Sequence, residues 1–190
     1  MRDTLFKRVS LNMFLEGEPI PIYREQLEYA HKLADALTKQ DSRWRQNEGV
    51  TSATQYENRL YGQLGDVVVC DLLELPRPVI REEDKNKGDG GIDAKYLDLT
   101  LQIKTTLLDY AKYYALEKYG HPADVGLFLK VTPCRTGIRL AGAASKKTIL
   151  ENAIEINGKI KDQLAVHIDR FTNFADACRA AYYDKNCLKL

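Results

Sequence analysis

Asp93 and the triplet Gln102-Ile103-Lys104 are the residues whose types and spacing best suit chemistry. Side chains alternate faces along a strand, so Gln102 and Lys104 point the same way, about 6.6 Å apart at roughly 3.3 Å per residue. Ile103 faces the other side, into a core. If the strand before the triplet pairs with it as a hairpin, Asp93 comes to lie near Gln102. The flanks of the triplet are apolar or β-branched, which marks a central strand, and polar side chains on such a strand need partners or a function.

The elements that must position these residues follow from local pattern. Leu27, Ala30, Leu33, Ala34 and Leu37 recur at helical spacing and predict an amphipathic helix over 22–38. A second helix is expected over 53–73, with Leu60, Leu64, Val67, Val68, Leu72 and Leu73 as its buried stripe and Pro76 and Pro78 stopping it. It carries the acids Glu57, Asp66 and Asp71, with Glu74 just beyond its end. A short strand at 79–80 and a charged, glycine-rich loop at 81–91 come next. Then follow the paired strands 92–96 and 99–105. A helix is expected over 107–119, strands over 125–131 and 138–144, a short helix over 147–156, a strand over 164–168 and a last helix over 171–183 capped by Asp169 or Thr172. This order predicts an α/β fold with a mixed central sheet flanked by helices.

A chain of 190 residues suggests one core, here 53–190, with 1–52 as an N-terminal helical arm or extension. Hydrophobic residues make up 44% and charged residues 29%, a globular mixture, and the net charge of +1 neither requires nor excludes a nucleic-acid partner. The basic clusters Arg43/Arg45, Lys85/Lys87 and Lys146/Lys147 read individually as solvated surface. The four cysteines form no C-x-x-C pair and read as reduced thiols of a cytoplasmic protein. No apolar h-region and no long apolar run occur, so neither a signal peptide nor a membrane span is expected.

The sequence Gly62-Gln-Leu-Gly65-Asp66, then Gly91-Ile92-Asp93, then Gln102-Ile103-Lys104-Thr-Thr resembles the PD-(D/E)xK nuclease superfamily. Many of its members carry a G-x-x-G-E helix, a G-x-D turn and an E-V-K-T strand. The spacing is similar here, with Asp in place of the helical Glu and Gln in place of the strand Glu. The likeness covers roughly residues 55–145. It implies a restriction-endonuclease-like fold and hydrolysis of DNA phosphodiester bonds with Mg²⁺ or Mn²⁺, hard cations that favour oxygen ligands. Asp93 would be the principal ligand, joined by Asp66, the amide oxygen of Gln102 and the carbonyl of Ile103. Lys104 would orient or deprotonate the attacking water and balance charge on the phosphate. Many relatives act as dimers, so a homodimer is an open expectation.

Other readings stand beside this one. The same shape can serve as a catalytically inactive module that binds nucleic acid or a protein, or the trio can be coincidental, with Lys104 guarding an edge strand. Glu57 is the second choice for the helical acid, and Asp89 is a further acid near the site. Trp44, between Arg43 and Arg45, either touches a base or covers the core, the latter being the plainer reading. His31, His121 and His167 fit no metal spacing and read as surface or satisfied-core residues. Tyr110, Tyr113, Tyr114 and Tyr119 either line a nucleic-acid groove or, more simply, pack on the sheet. The run 88–91 (GDGG) is too short for a phosphate-binding loop.

Overall fold

A computed structural model describes residues 10–40, 52–79, 92–116, 120–156 and 163–187. Its elements are β1 (Ile20–Pro21), α1 (Arg24–Gln40), α2 (Ser52–Leu72), β2 (Ala94–Tyr96), β3 (Leu99–Thr106), β4 (Tyr113–Ala115), β5 (Val125–Val131), β6 (Gly137–Ser145), α3 (Lys146–Glu151), β7 (Ile154–Ile156), β8 (Gln163–His167) and α4 (Phe174–Cys187). The main sheet has the order β1-β6-β5-β3-β2, and a second sheet has the order β4-β8-β7. Within the main sheet β3 runs parallel to β5, and the remaining pairs are antiparallel. The fold is therefore mixed α/β, as the element order predicts.

One large core joins Ala30 and Ala34 of α1, Leu64 and Val68 of α2 and Phe174 and Ala177 of α4 to Leu101, Ile103, Leu127 and Leu129 of the sheet. A smaller core, formed by Tyr114, Phe128, Ile149 and Val166, packs the second sheet and α3 against the opposite face of β5. Residues 10–40, expected as part of an arm, contribute to the large core. Phe14 and Ile20 are buried in it, and Ile20 pairs with Ile138. Gln26 fixes the start of α1, because its Oε1 accepts from the Tyr23 amide at 3.0 Å, the reach-back of a capping box.

Four expectations are corrected. Residues 107–119 do not form a helix: 107–112 are turn and coil, and Tyr113–Ala115 is a strand. The tyrosine spacing imitates a helical stripe, yet Tyr110 and Tyr113 are exposed while Tyr114 is fully buried, which is the period of a strand. The expected helix over 147–156 stops at Glu151, where Asn152 caps it, and Ile154–Ile156 is a strand. Val79 is exposed and belongs to no strand, and Ile80 lies outside the described residues. The last helix starts later than expected and is capped by Asn173, whose Oδ1 accepts from the Asp176 amide at 2.9 Å. Trp44, Arg43, Arg45, Lys85, Lys87, Asp89, Tyr119 and the 88–91 run all lie outside the described residues.

Two contacts set the position of β3. At one end, a single Asp124 oxygen accepts from both the amide and the hydroxyl of Thr100 at 2.9 Å, and the Asp124 amide donates back to the Thr100 hydroxyl at 2.9 Å. Burial raises the Asp124 pKa, but the Thr100 and Lys185 hydrogen bonds outweigh it and hold the carboxyl below its usual range. At the other end, Gly65 brings α2 against β3. A Cβ at this glycine would sit 1.9 Å from the Thr105 hydroxyl, whereas Gly62 has open space around it.

Gly65→Ala is therefore expected to cost about 1–3 kcal/mol in urea unfolding through overpacking. Adding Thr105→Ala should recover part of that loss, and strict additivity in the double mutant would refute the contact. Asp124→Asn should cost about 1–3 kcal/mol at neutral pH. Because the folded-state pKa is depressed, the carboxylate's contribution is present above the ordinary Asp value of about 3.9 and is lost as pH falls through the folded value. The stability gap between wild type and Asp124→Asn should narrow over that acid range.

Candidate functional site

The β2–β3 register pairs Ala94 with Leu101, so Asp93, one step earlier, stands opposite Gln102. The Asp93 amide donates to the Leu101 carbonyl at 2.9 Å, and the Ile103 amide donates to Asp93 Oδ2 at 2.6 Å. The carboxylate thus takes the next place in the ladder, where a main-chain carbonyl would otherwise stand. The N–H and C=O of one strand residue project to the same edge, so the Ile103 carbonyl shares the edge that Asp93 occupies.

Asp66 follows Gly65 on the helix that packs against β3 and is 8% exposed. Gln63 Nε2 approaches its Oδ2 at 3.4 Å. One turn further on, the Cys70 thiol reports what surrounds it. Burial, then the charges of Asp66, Asp71 and Asp93, push it up to about 12 against an opposing pull from Arg77. Asp66 and Asp93 therefore reach one buried point with their fields, although 26 residues of sequence lie between them.

The remaining acids of α2 are occupied elsewhere. Asp71 makes a two-pronged pair with Arg77 at 2.6 and 2.7 Å and accepts from Gln26 at 2.9 Å. Glu57 pairs with Arg135, and Arg135 also lies over the Tyr61 ring. Glu74 is exposed past the helix end. Among the described side chains of α2, Asp66 is the buried acid. Among the described residues, no three His, Cys, Asp or Glu side chains gather as metal ligands.

Gln102 and Lys104 lie on the opposite face of β3 from Leu101 and Ile103. Gln102 is 1% exposed beneath Tyr114, whose hydroxyl donates to Gln102 Oε1 at 3.0 Å. Its Nε2 is buried without a hydrogen-bond partner. Lys104 is half-buried and stands in register with Phe128. The sequence reading missed Tyr114 as the partner of Gln102, because the segment was expected to be helical. The period-two alternation of 113–115 was the available signal.

Further cations lie on the face of Lys104. Lys130, in register with Thr106, is 6% exposed and donates to the Asp109 carbonyl at 2.5 Å. Its cross-strand neighbour Arg139 pairs with the Asp109 carboxylate at 3.0 Å. Burial, then Arg139 and Lys112, hold the Lys130 pKa below the usual lysine range, and Asp109 acts against them. A lysine inside the apolar run VGLFLKV was the sequence signal for this group. Lys146 and Lys147 instead line a concavity of about 520 Å³ whose charge is offset by Asp124, Glu151 and Asp184. His31 contacts the Tyr56 hydroxyl at 3.0 Å, His167 pairs with Asp169, and His121 packs edge-on against Tyr114.

No family model matches the chain, and no curated protein or solved structure is significantly similar to it.

Tyr114→Phe removes the hydroxyl that satisfies Gln102 and leaves a second buried amide atom without a partner. We expect a loss of about 1–3 kcal/mol in thermal or urea unfolding. A variant as stable as wild type would show that this hydrogen bond does not hold Gln102.

Proposed function

We propose that the chain is a metal-dependent endonuclease acting on DNA, with Asp93, Asp66, Gln102 and Lys104 as its working residues. The observation that carries this reading is the capture of the Ile103 amide by the Asp93 carboxylate. That bond puts a carboxylate and a main-chain carbonyl at one strand edge, beside the QxK triplet. A parallel strand after the triplet, β5, accords with the resemblance in the sequence.

The residues fit a hard divalent cation. Mg²⁺ keeps several waters and is usually held by one or two carboxylates together with substrate phosphate, so a dense acid cluster is not required. Asp93 and Asp66 would hold it, with the Ile103 carbonyl as a neutral oxygen. The orphaned Gln102 Nε2 supports a fourth oxygen. An amide's nitrogen and oxygen occupy equivalent positions when the group turns over. In the turned state Tyr114 accepts from Nε2, and Oε1 takes the place of the orphan. When bound, the cation would supply Lewis acidity at the phosphate and acidify the attacking water. Lys104, on the face of Gln102, would orient that water and offset charge developing on the phosphate. Tyr114 would hold the Gln102 amide in one rotamer.

The second reading, an inactive module of the same shape that binds nucleic acid or protein, has its own support. Gln102 carries no charge where the family pattern has Glu, and its Oε1 is engaged by Tyr114.

Plasmid nicking with Mg²⁺ or Mn²⁺ separates the two. Wild type should nick and chelation should stop it. Lys104→Ala should lower the rate by roughly 10²-fold or more with a nearly unchanged melting temperature. Equal nicking by wild type and Lys104→Ala refutes the assignment of Lys104. Metal-independent DNA binding with no nicking by wild type establishes the binding module instead.

A further inference from the structure

The loop at 107–112 connects β3 to β4, and its polar atoms are tied down and Leu107 packs on the large core while Leu108 and Tyr110 stand exposed. Lys130 holds the Asp109 carbonyl, Arg139 holds the Asp109 carboxylate, and the Thr106 hydroxyl accepts from the Leu108 amide at 3.1 Å. Between these ties Tyr110 is 77% exposed and Leu108 is 48% exposed. An exposed ring on a clamped loop is already ordered, so a partner that packs on it need not immobilise the backbone.

The loop that carries that ring is bordered by cations. Lys104, Lys130 and Arg139 lie on one face of three neighbouring strands, and Lys112 closes the loop. Lys104 and Lys130 are about one strand spacing apart across the sheet and two residues apart along it. Asp109 is the acid inside this group, and its carboxylate is matched by Arg139. An exposed ring on a loop bordered by cations suits a polyanion with flat bases. Bases stack on the ring with little regard to sequence while the cations follow the backbone.

We infer that Tyr110 is a base-stacking platform: the 107–112 loop receives an unpaired nucleotide of a strand whose backbone runs past Lys112 and Arg139 toward Lys104. The inference rests on the nuclease reading only for the direction toward Lys104. The platform itself stands on the exposed ring and its cations. Unpaired or locally opened DNA is then the preferred substrate class.

The test is fluorescence anisotropy of the full chain with fluorescein-labelled oligodeoxythymidine, with divalent metal chelated so that binding is read without cleavage. Tyr110→Ala should weaken binding roughly tenfold, and Tyr110→Phe should bind like wild type, because stacking needs the ring and not the hydroxyl. Lys112→Ala should lower the slope of log affinity against log salt by about one. Size-exclusion chromatography of the same proteins checks the alternative occupant, a second copy of the chain. Equal affinity of wild type and Tyr110→Ala overturns the inference, as does no binding by wild type. A dimer that Tyr110→Ala converts to monomer, with unchanged oligonucleotide affinity, overturns it too. Its failure is distinguishable from that of the nuclease reading. A wild type that nicks plasmid but shows no Tyr110 effect sinks only the platform. Tyr110-dependent binding without nicking sinks only the nuclease.

Discussion

The Ile103 amide has one partner, the Asp93 carboxylate at 2.6 Å, and the geometry around β3 depends on that choice. A sheet ladder normally satisfies each amide with a main-chain carbonyl. Here a side chain does so where β2 begins, which ends regular pairing at Asp93 and anchors a carboxylate at the strand edge. Leaving that amide unpaired would cost about 1–3 kcal/mol, so the carboxylate is held by the backbone's own need for an acceptor. An acid held in this way does not have to be ordered again when a cation or phosphate arrives.

Two close approaches let this strand be central. Gly65 allows α2 to meet β3 at Thr105. The Thr100–Asp124 clasp joins the starts of two parallel strands that a long crossover separates. With both faces covered, Gln102 becomes a buried amide, and Tyr114 answers one of its two polar ends. A buried amide with one end unanswered is costly in a purely structural core.

The electrostatics of the two faces differ. On the α2 side, burial first and then the charges of Asp66, Asp71 and Asp93 raise the pKa of the Cys70 thiol. On the other face, Lys130 and Arg139 hold Asp109, with Lys104 on the same face of the sheet and Lys112 in the loop. Strand β3 lies between an acidic edge and a basic surface. The chain as a whole carries a net charge of only +1.

Much of this was written in local pattern. The apolar stripes of α1 and α2, the β2–β3 hairpin and the runs of β5 and β6 are short-range signals, and periodicity alone determined them. The pairing of Asp93 with Gln102 was equally legible, because a short connection sets the register of a hairpin. Three things were decided only by tertiary structure. Tyr113–Ala115 became a strand because a buried neighbour, Gln102, and a second sheet compete for Tyr114, and neither is local in sequence. The pairing of Glu57 with Arg135 and of Asp71 with Arg77 is another, since sequence cannot assign these arginines to an acid. The basic face emerged only when β3, β5 and β6 came into register, since a cation's field is shaped by neighbours in space. Local residue types select elements through short-range sterics and burial, whereas a site is made by contacts whose sequence separation leaves no periodic trace.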